Sequence, residues 1–249
     1  MLNRNVLVTG GARRLGAAIA RAVAADGWRV VIHYGRSADA AQALARELGG
    51  VAVQGDLADA AGASAVFARA RDAAGGPVSA LVNSASSFEY DRPEGIDAVL
   101  AARLHPTNAV TPAILAAALA AQDDLTDGAV VNLLDQKLAN PNPDFFSYSL
   151  SKYALAGATE MLAQALAPRV RVNAVAPGIT LPSGDQSDAD FAAVASDNLL
   201  RRPVGAENVA AAVAYLLGAR SVTGQTLYVD CGQRFVKRDG DVMFEGRDG

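Results

Sequence analysis

The stretch Asn5-Val6-Leu7-Val8-Thr9-Gly10-Gly11-Ala12-Arg13-Arg14-Leu15-Gly16 sets how the rest of the chain is read. Its first five residues form an apolar, β-branched run of strand length. Such a run is too short for the hydrophobic region of a signal peptide. Glycines follow at once, and they permit positive φ and close backbone approach to a bound group. The alanine-rich segment 14–26 then has helix character. Strand, glycine turn and helix in that order present free N–H groups and the positive end of a helix dipole, which suit a pyrophosphate. The stretch is therefore a candidate dinucleotide loop spanning Gly10, Arg13, Arg14, Leu15 and Gly16, with an ordinary tight turn as the plainer alternative.

The same rhythm continues along all 249 residues. Strands are expected at 5–9, 28–33, 51–54, 79–83, 129–134, 170–175 and 226–230. Helices are expected near 14–26, 37–48, 59–74, 95–121, 146–167, 188–199 and 206–217. Alternation of this kind implies an α/β fold: a parallel sheet of about seven strands with helices on both faces. The strands are nearly continuous apolar runs, as expected when both faces are covered. No linker rich in Pro, Gly or Ser divides the chain, so 1–249 reads as a single domain. The polar segment 181–190 follows a strand, where loops of an open α/β sheet surround the ligand crevice. It is either a substrate lid or a plain surface loop.

Composition narrows the function. Hydrophobic residues make up 51% and charged residues 19%, so a sizeable core forms and whole-chain disorder is excluded. No apolar run approaches the ~18 residues of a membrane-spanning helix. The single Cys231 allows no internal disulfide and fits a reducing cytoplasm. The net charge of −4 argues against a nucleic-acid binder with a broad basic surface. Two histidines and one cysteine are too few for most zinc sites, and no metal is expected.

The second strand points to the type of dinucleotide. NAD sites usually carry an acidic residue at its end, which holds the ribose 2′-OH. Here the strand ends His33-Tyr34-Gly35-Arg36-Ser37, with no acid. Arg36 offers a planar cation and Ser37 a hydroxyl, both suited to a 2′-phosphate, and Arg13 adds a second cation. NADP(H) is the expected cofactor. His33 either lies beside the cofactor or sits in a satisfied hydrogen bond. No partner is identified for His105.

Tyr148 and Lys152 stand four residues apart in Tyr148-Ser149-Leu150-Ser151-Lys152, on one face of a helix. A nearby ammonium favours the phenolate and lowers a tyrosine pKa, making a general acid. The chain has only three lysines beside nineteen arginines, and arginine does not easily replace a compact ammonium at this position.

With these residues in place, the chain resembles the short-chain dehydrogenase/reductase family over nearly its full length. The features that carry the resemblance are Thr9-Gly10…Gly16, Asp56-Leu57, Asn83-Ser84-Ala85, Asn108, Tyr148…Lys152, Arg171-Val172-Asn173 and Pro177-Gly178. The resemblance implies a Rossmann-type doubly wound sheet. It gives Asn108 a role in a proton relay behind Tyr148 and Lys152, and places Asp56 at the adenine. Leu57, Asn83, Ser84, Ala85, Lys152, Pro177 and Gly178 join His33 and Tyr34 among the cofactor residues.

Two positions depart from the usual pattern of that family. Arg14 stands where glycine is usual, and Asp135 stands where serine is usual. An ionised carboxylate is acceptor-only, so Asp135 cannot donate to a carbonyl substrate as the serine would unless its pKa is strongly raised. It suits a substrate with N–H donors, or a relay that protonates a ring nitrogen. Both departures occur together in pteridine reductases and dihydromonapterin reductases, which the chain also resembles in Arg13–Gly16, His33–Ser37 and Asn83–Phe88. That branch implies substrate contacts from Arg14, Ser86, Phe88, Asp135 and Tyr148, with Phe88 stacked on a pterin. Phe88 as a core or loop anchor is the plainer alternative. The expected activity is NADPH-dependent reduction of a dihydropterin C=N bond. Carbonyl or 3-oxoacyl reduction is the second choice, and a non-catalytic NADP(H) sensor the third. The resemblance further implies a homotetramer built through 95–121, 146–167 and the C-terminal strand region. It gives no counterpart for 181–198 or for the tail 235–249.

Overall fold

A computed structural model describes residues 4–182 and 187–244, apart from the side chains of Asp188 and Met243. Seven strands form one parallel sheet in the order β3-β2-β1-β4-β5-β6-β7. They are β1 (Asn5–Thr9), β2 (Arg29–Tyr34), β3 (Val51–Gln54), β4 (Val78–Asn83), β5 (Gly128–Leu133), β6 (Val170–Pro177) and β7 (Thr226–Val229). Eight α-helices lie around them: α1 (Arg14–Ala25), α2 (Ala38–Leu48), α3 (Ala63–Ala74), α4 (Ala98–His105), α5 (Thr111–Ala120), α6 (Phe146–Leu166), α7 (Asp188–Ala195) and α8 (Ala206–Gly218). This is the Rossmann-type architecture expected from the strand–helix rhythm.

The period-2 geometry of a strand sorts the core into two layers. Val6 and Val8 of β1 turn to the face covered by α1, α2 and α8, where they meet Ile19, Val23 and Val213. Leu7 turns to the opposite face, with Phe67 of α3 and Leu115 and Leu119 of α5. All five β1 residues are buried, which is why this strand is apolar without alternation. The strand order reverses at β1, between β2 and β4, and that switch point opens the ligand crevice of such sheets. Thr9, Asn83 and Asn132 stand level there, because Thr9 pairs with Asn83 and Asn83 with Asn132.

The single helix expected over 95–121 is three pieces. Asp97 caps α4 by accepting from Val99 N at 2.8 Å and Leu100 N at 3.2 Å. Pro106–Val110 then winds as a π-helical turn before α5 begins, with the Thr111 N–H donating to the Pro106 carbonyl. Pro106 and Pro112 carry no N–H, so a regular α-helical ladder cannot run through this region. The segment expected as helix 59–74 starts as a 3₁₀ turn at Ala60–Gly62, and the one expected at 188–199 ends at Ala195. Within the polar segment 181–190, residues 183–186 lie outside the described residues. Ser187 and Asp190 close a capping box on α7. Residues 245–249 of the tail also lie outside them.

Candidate active site

The glycine loop is built by exclusion of side chains. A Cβ on Gly10, at φ +62°, would stand 3.0 Å from the Ala85 Cα. On Gly16 it would stand 2.2 Å from the Gly10 carbonyl oxygen, which only glycine tolerates. Arg14 holds a left-handed backbone, at φ +52°. Its guanidinium donates to the Pro182 carbonyl, so the loop reaches across to the segment after β6. Arg13, the N-cap of α1, is exposed like Arg14, and Leu15 is half-buried.

His33 is buried beneath this loop. Its Nδ1 accepts from Gly10 N at 3.2 Å, so the proton sits on Nε2, which donates to the Gly55 carbonyl at 3.1 Å. Burial lowers its pKa to about 4. Both ring nitrogens serve the backbone, so His33 braces the loop and offers nothing to a nucleotide. Tyr34 is half-buried, with its carbonyl accepting from Gly55 N at 3.0 Å. Arg36 is exposed and Ser37 is the N-cap residue of α2. Gly35, Arg36, Gly55 and Asp56 line a groove of about 830 Å³, which Arg69 also reaches. Arg69 was not legible in the sequence, because it enters from α3.

Asn83 points into the sheet. Its amide donates to Asn132 Oδ1 at 2.8 Å and to the Pro112 carbonyl at 3.3 Å, so it ties β4 to β5 and α5. Thr9 Oγ1 accepts from Ser84 N and Ala85 N at 3.0 and 3.1 Å, fixing the turn after β4 against the glycine loop. Asp56 accepts from Ala58 N in a local turn, and the Leu57 carbonyl holds Thr111. Pro177 closes β6. Gly178 N donates to the Val229 carbonyl at 3.0 Å, and a Cβ at Gly178 would strike Gln233 and Asp230.

Asp135, Tyr148, Lys152 and Asn108 come together at the ends of β5, α6 and the π turn. The Tyr148 hydroxyl donates to Asp135 Oδ2 at 3.0 Å, and Asp135 Oδ1 accepts from Lys137 N at 2.8 Å. Lys152 Nζ donates to the Leu133 carbonyl at 2.8 Å and lies 5.6 Å from the Tyr148 ring centroid. The expectation of a lowered tyrosine pKa is corrected here. Burial, then the negative charge of Asp135, holds the Tyr148 phenol well above its usual range. Burial also raises Asp135, and it lowers Lys152 to about 8. The phenol therefore keeps its proton and points it at a carboxylate.

Asn108 is fully engaged. Its Oδ1 accepts from Ser86 Oγ at 3.1 Å and Ser87 N at 2.8 Å, while Nδ2 donates to the Ser87 carbonyl and Ser151 Oγ. The side chain thus knots the segment 86–88 to α6. Pro112 stands four residues on and has no N–H, so the Asn108 carbonyl lacks its α-helical donor. Phe88 is 40% exposed and stacks on Phe145 at 4.1 Å, with Tyr148 edge-on at 4.7 Å. Tyr90 and Phe244 complete the aromatic group, each 5.2–6.0 Å from Phe145. Asp91 supplies the cap that α6 lacks, since the Asp91 carboxylate accepts from Ser147 N at 2.9 Å and Ser147 Oγ at 2.5 Å. Phe145, Tyr90, Phe244 and Asp91 carry no sequence motif. Among the described residues, no helix is long and apolar enough to cross a membrane, and no group of His, Cys, Asp or Glu could hold a metal ion.

Comparison with known proteins places this geometry. Residues 10–234 match the family model described as Enoyl-(Acyl carrier protein) reductase. Pteridine reductase 1 of Leishmania tarentolae is 33% identical, across 91% of this chain and 94% of its own. Dihydromonapterin reductase of Klebsiella pneumoniae is 26% identical, across 92% and 96%. Among solved structures, FolM alternative dihydrofolate reductase 1 from Brucella suis, in complex with NADP, superposes with a TM-score of 0.90 at 42% identity, over 95% of this chain and 97% of its own. A family match over most of the chain, together with relatives and a fold that agree from end to end, means that the chain belongs to the short-chain dehydrogenase/reductase family.

Proposed function

We propose that the protein is an NADPH-dependent reductase that adds hydrogen across a C=N bond of a dihydropterin. The observation that carries this reading is Asp135: an acceptor carboxylate, hydrogen-bonded to Tyr148, at the position where a carbonyl reductase needs a donor. The relatives named for pterin and dihydrofolate reduction support it.

The crevice fits the dinucleotide, because the space a Cβ would fill at Gly10 and Gly16 is kept clear. Gly10, Arg13, Arg14, Leu15 and Gly16 would hold its pyrophosphate. Arg36 and Ser37 would hold the 2′-phosphate, Asp56 and Leu57 the adenine, and Lys152 the nicotinamide ribose. Ser84, Ala85, Pro177 and Gly178 would line the nicotinamide end. When bound, NADPH supplies the hydride. Tyr148 donates the proton that the reduced ring nitrogen takes up. Lys152 stabilises the phenolate left behind, and the Asn108 carbonyl would accept from a water that relays a proton back to the phenolate. Asp135 accepts from ring N–H groups and fixes the orientation of the ring. Phe88 offers the ring a flat face, and Ser86 and Arg14 bind its edges.

Arg14 ties the glycine loop to Pro182, so the described residues of the 181–198 segment would border the substrate pocket. The protein assembles as a homotetramer in the cytoplasm. Support for the assembly comes from Val99 of α4 and Leu150, Tyr153 and Met161 of α6, apolar side chains left exposed on neighbouring helices. The lone thiol supports the location. Initial rates of NADPH oxidation with dihydrobiopterin, dihydromonapterin, dihydrofolate, an acetoacetyl thioester and a simple diketone test the reading. Turnover confined to the carbonyl compounds would reject it.

A further inference from the structure

A second set of charges lies beside the reaction centre and has no part in the chemistry just described. Lys137 is 5% exposed, on the 3₁₀ turn that follows Asp135. Its Nζ donates to the Asp144 carbonyl at 2.5 Å and pairs with the Asp241 carboxylate at 3.1 Å. The Asp241 N–H donates to Asp144 Oδ2 at 2.7 Å, and Arg92 pairs with Asp144 Oδ1 at 2.6 Å. Asn140 and Asn142 donate to the carbonyls of Val236 and Gly240 at 2.7 and 3.1 Å. The C-terminal segment is therefore bound along the whole connection from β5 to α6.

That connection has Asp135 at its start, and Tyr148 lies in the first turn of α6 at its end. Its length and shape set how far the carboxylate stands from the phenol. We infer that Asp241 is a positioning residue for the Asp135–Tyr148 pair: anchored on buried Lys137, it clamps the C-terminal segment onto the connection that holds the two groups 3.0 Å apart. The inference rests on the reading of Tyr148 as proton donor.

The charge of Asp241 acts on the same pair. Asp241 adds negative potential that favours the protonated form of both Asp135 and Tyr148. Lys152, from α6, opposes it at Asp135. Lys137 faces Asp241 on one side, and Asp144, itself paired with Arg92, packs on the other. Loss of the Asp241 charge therefore lets Asp135 ionise at lower pH, besides loosening the clamp.

The test compares wild type, Asp241→Asn, Asp241→Glu and the doubly neutral Lys137→Met/Asp241→Asn, using the substrate that the wild type reduces best. Melting temperature, NADPH affinity by fluorescence, kcat, KM and the pH profile of kcat/KM are measured. Expected for Asp241→Asn is unchanged NADPH affinity, a kcat lowered at least tenfold, and an acid limb moved to lower pH. Asp241→Glu restores most of both. If unpaired Lys137 prevents Asp241→Asn from folding, the double variant decides, since it buries no unpaired charge. A folded variant lacking the Asp241 charge, with wild-type kcat and an unmoved acid limb, overturns the inference. Wild type that reduces carbonyls and no pterin overturns the proposed function and leaves this comparison intact.

Discussion

The Tyr148 hydroxyl donates to an Asp135 carboxylate oxygen at 3.0 Å, while Lys152, one turn along the same helix, directs its ammonium at the Leu133 carbonyl. The phenol is thus a protonated donor held by an acceptor. Tyr148→Phe keeps the ring and its edge contact with Phe88 but removes that proton. Loss of a general acid costs about 10²–10⁴ in rate, so kcat should fall in that range with NADPH affinity near normal. Single-turnover kinetics and a fluorescence titration check the two parts. A fully active Tyr148→Phe enzyme would remove Tyr148 from the proposed role.

The pH profile of kcat/KM follows from the two shifted groups. Asp135 must be ionised to accept, and burial raises its pKa, so the acid limb should stand above the ordinary aspartate value. Lys152 must be charged, and burial lowers it to about 8. Activity should therefore decline as pH rises through about 8. An alkaline limb near the ordinary lysine value would contradict the buried ammonium.

His33 gives a pH dependence of stability that is separate from catalysis. Its folded pKa of about 4 lies below the ordinary value of 6.5. The unfolded chain therefore binds more protons between these values, and stability is lost as pH falls from about 6.5 toward 4. A shift of this size corresponds to roughly 3 kcal/mol. Urea unfolding of wild type and His33→Gln across that window should show a flatter profile for the variant. Identical slopes would mean that other groups dominate.

The central strands were legible from their continuous apolar runs because they are buried on both faces, as β1 is, and the partly exposed edge strand β3 also falls on the residues expected. Glycine spacing and the Tyr148–Lys152 interval were legible because each is a local rule. The break in 95–121 follows from Pro106 and Pro112, but nothing local says that the chain compensates with a π turn carrying Asn108. Lys137 and Asp241 stand 104 residues apart, so their pairing belongs to the tertiary fold and leaves no motif. The sign of the Tyr148 shift was missed for the same reason: it depends on burial and on Asp135, and helical spacing to Lys152 supplies neither.

Arg14 holds a left-handed backbone at φ +52° and donates to Pro182. A non-glycine residue there costs on the order of 1–2 kcal/mol. Arg14→Gly should therefore raise the melting temperature while raising KM for the pterin, because strain and guanidinium leave together. Calorimetry and steady-state kinetics on one preparation test this. A lower melting temperature would show that the tether outweighs the strain.

Arg36 is exposed at the end of β2, free to meet a 2′-phosphate. Arg36→Asp replaces a charge-assisted contact worth about 1.5–3 kcal/mol with repulsion. NADPH affinity should fall more than tenfold, with NADH affinity little changed. Equal loss for both dinucleotides would place Arg36 elsewhere.

The most direct measurement compares wild type with Asp135→Ser on a dihydropterin and on a small diketone, both with NADPH. Removing the carboxylate leaves ring N–H groups unpaired, at about 1–3 kcal/mol. It also introduces the hydroxyl donor that a carbonyl oxygen needs. The expected result is pterin reduction lowered by roughly one to two orders of magnitude, with diketone reduction spared or improved. Equal loss on both substrates, or a wild type that already prefers the diketone, would contradict pterin reduction as the function of this site.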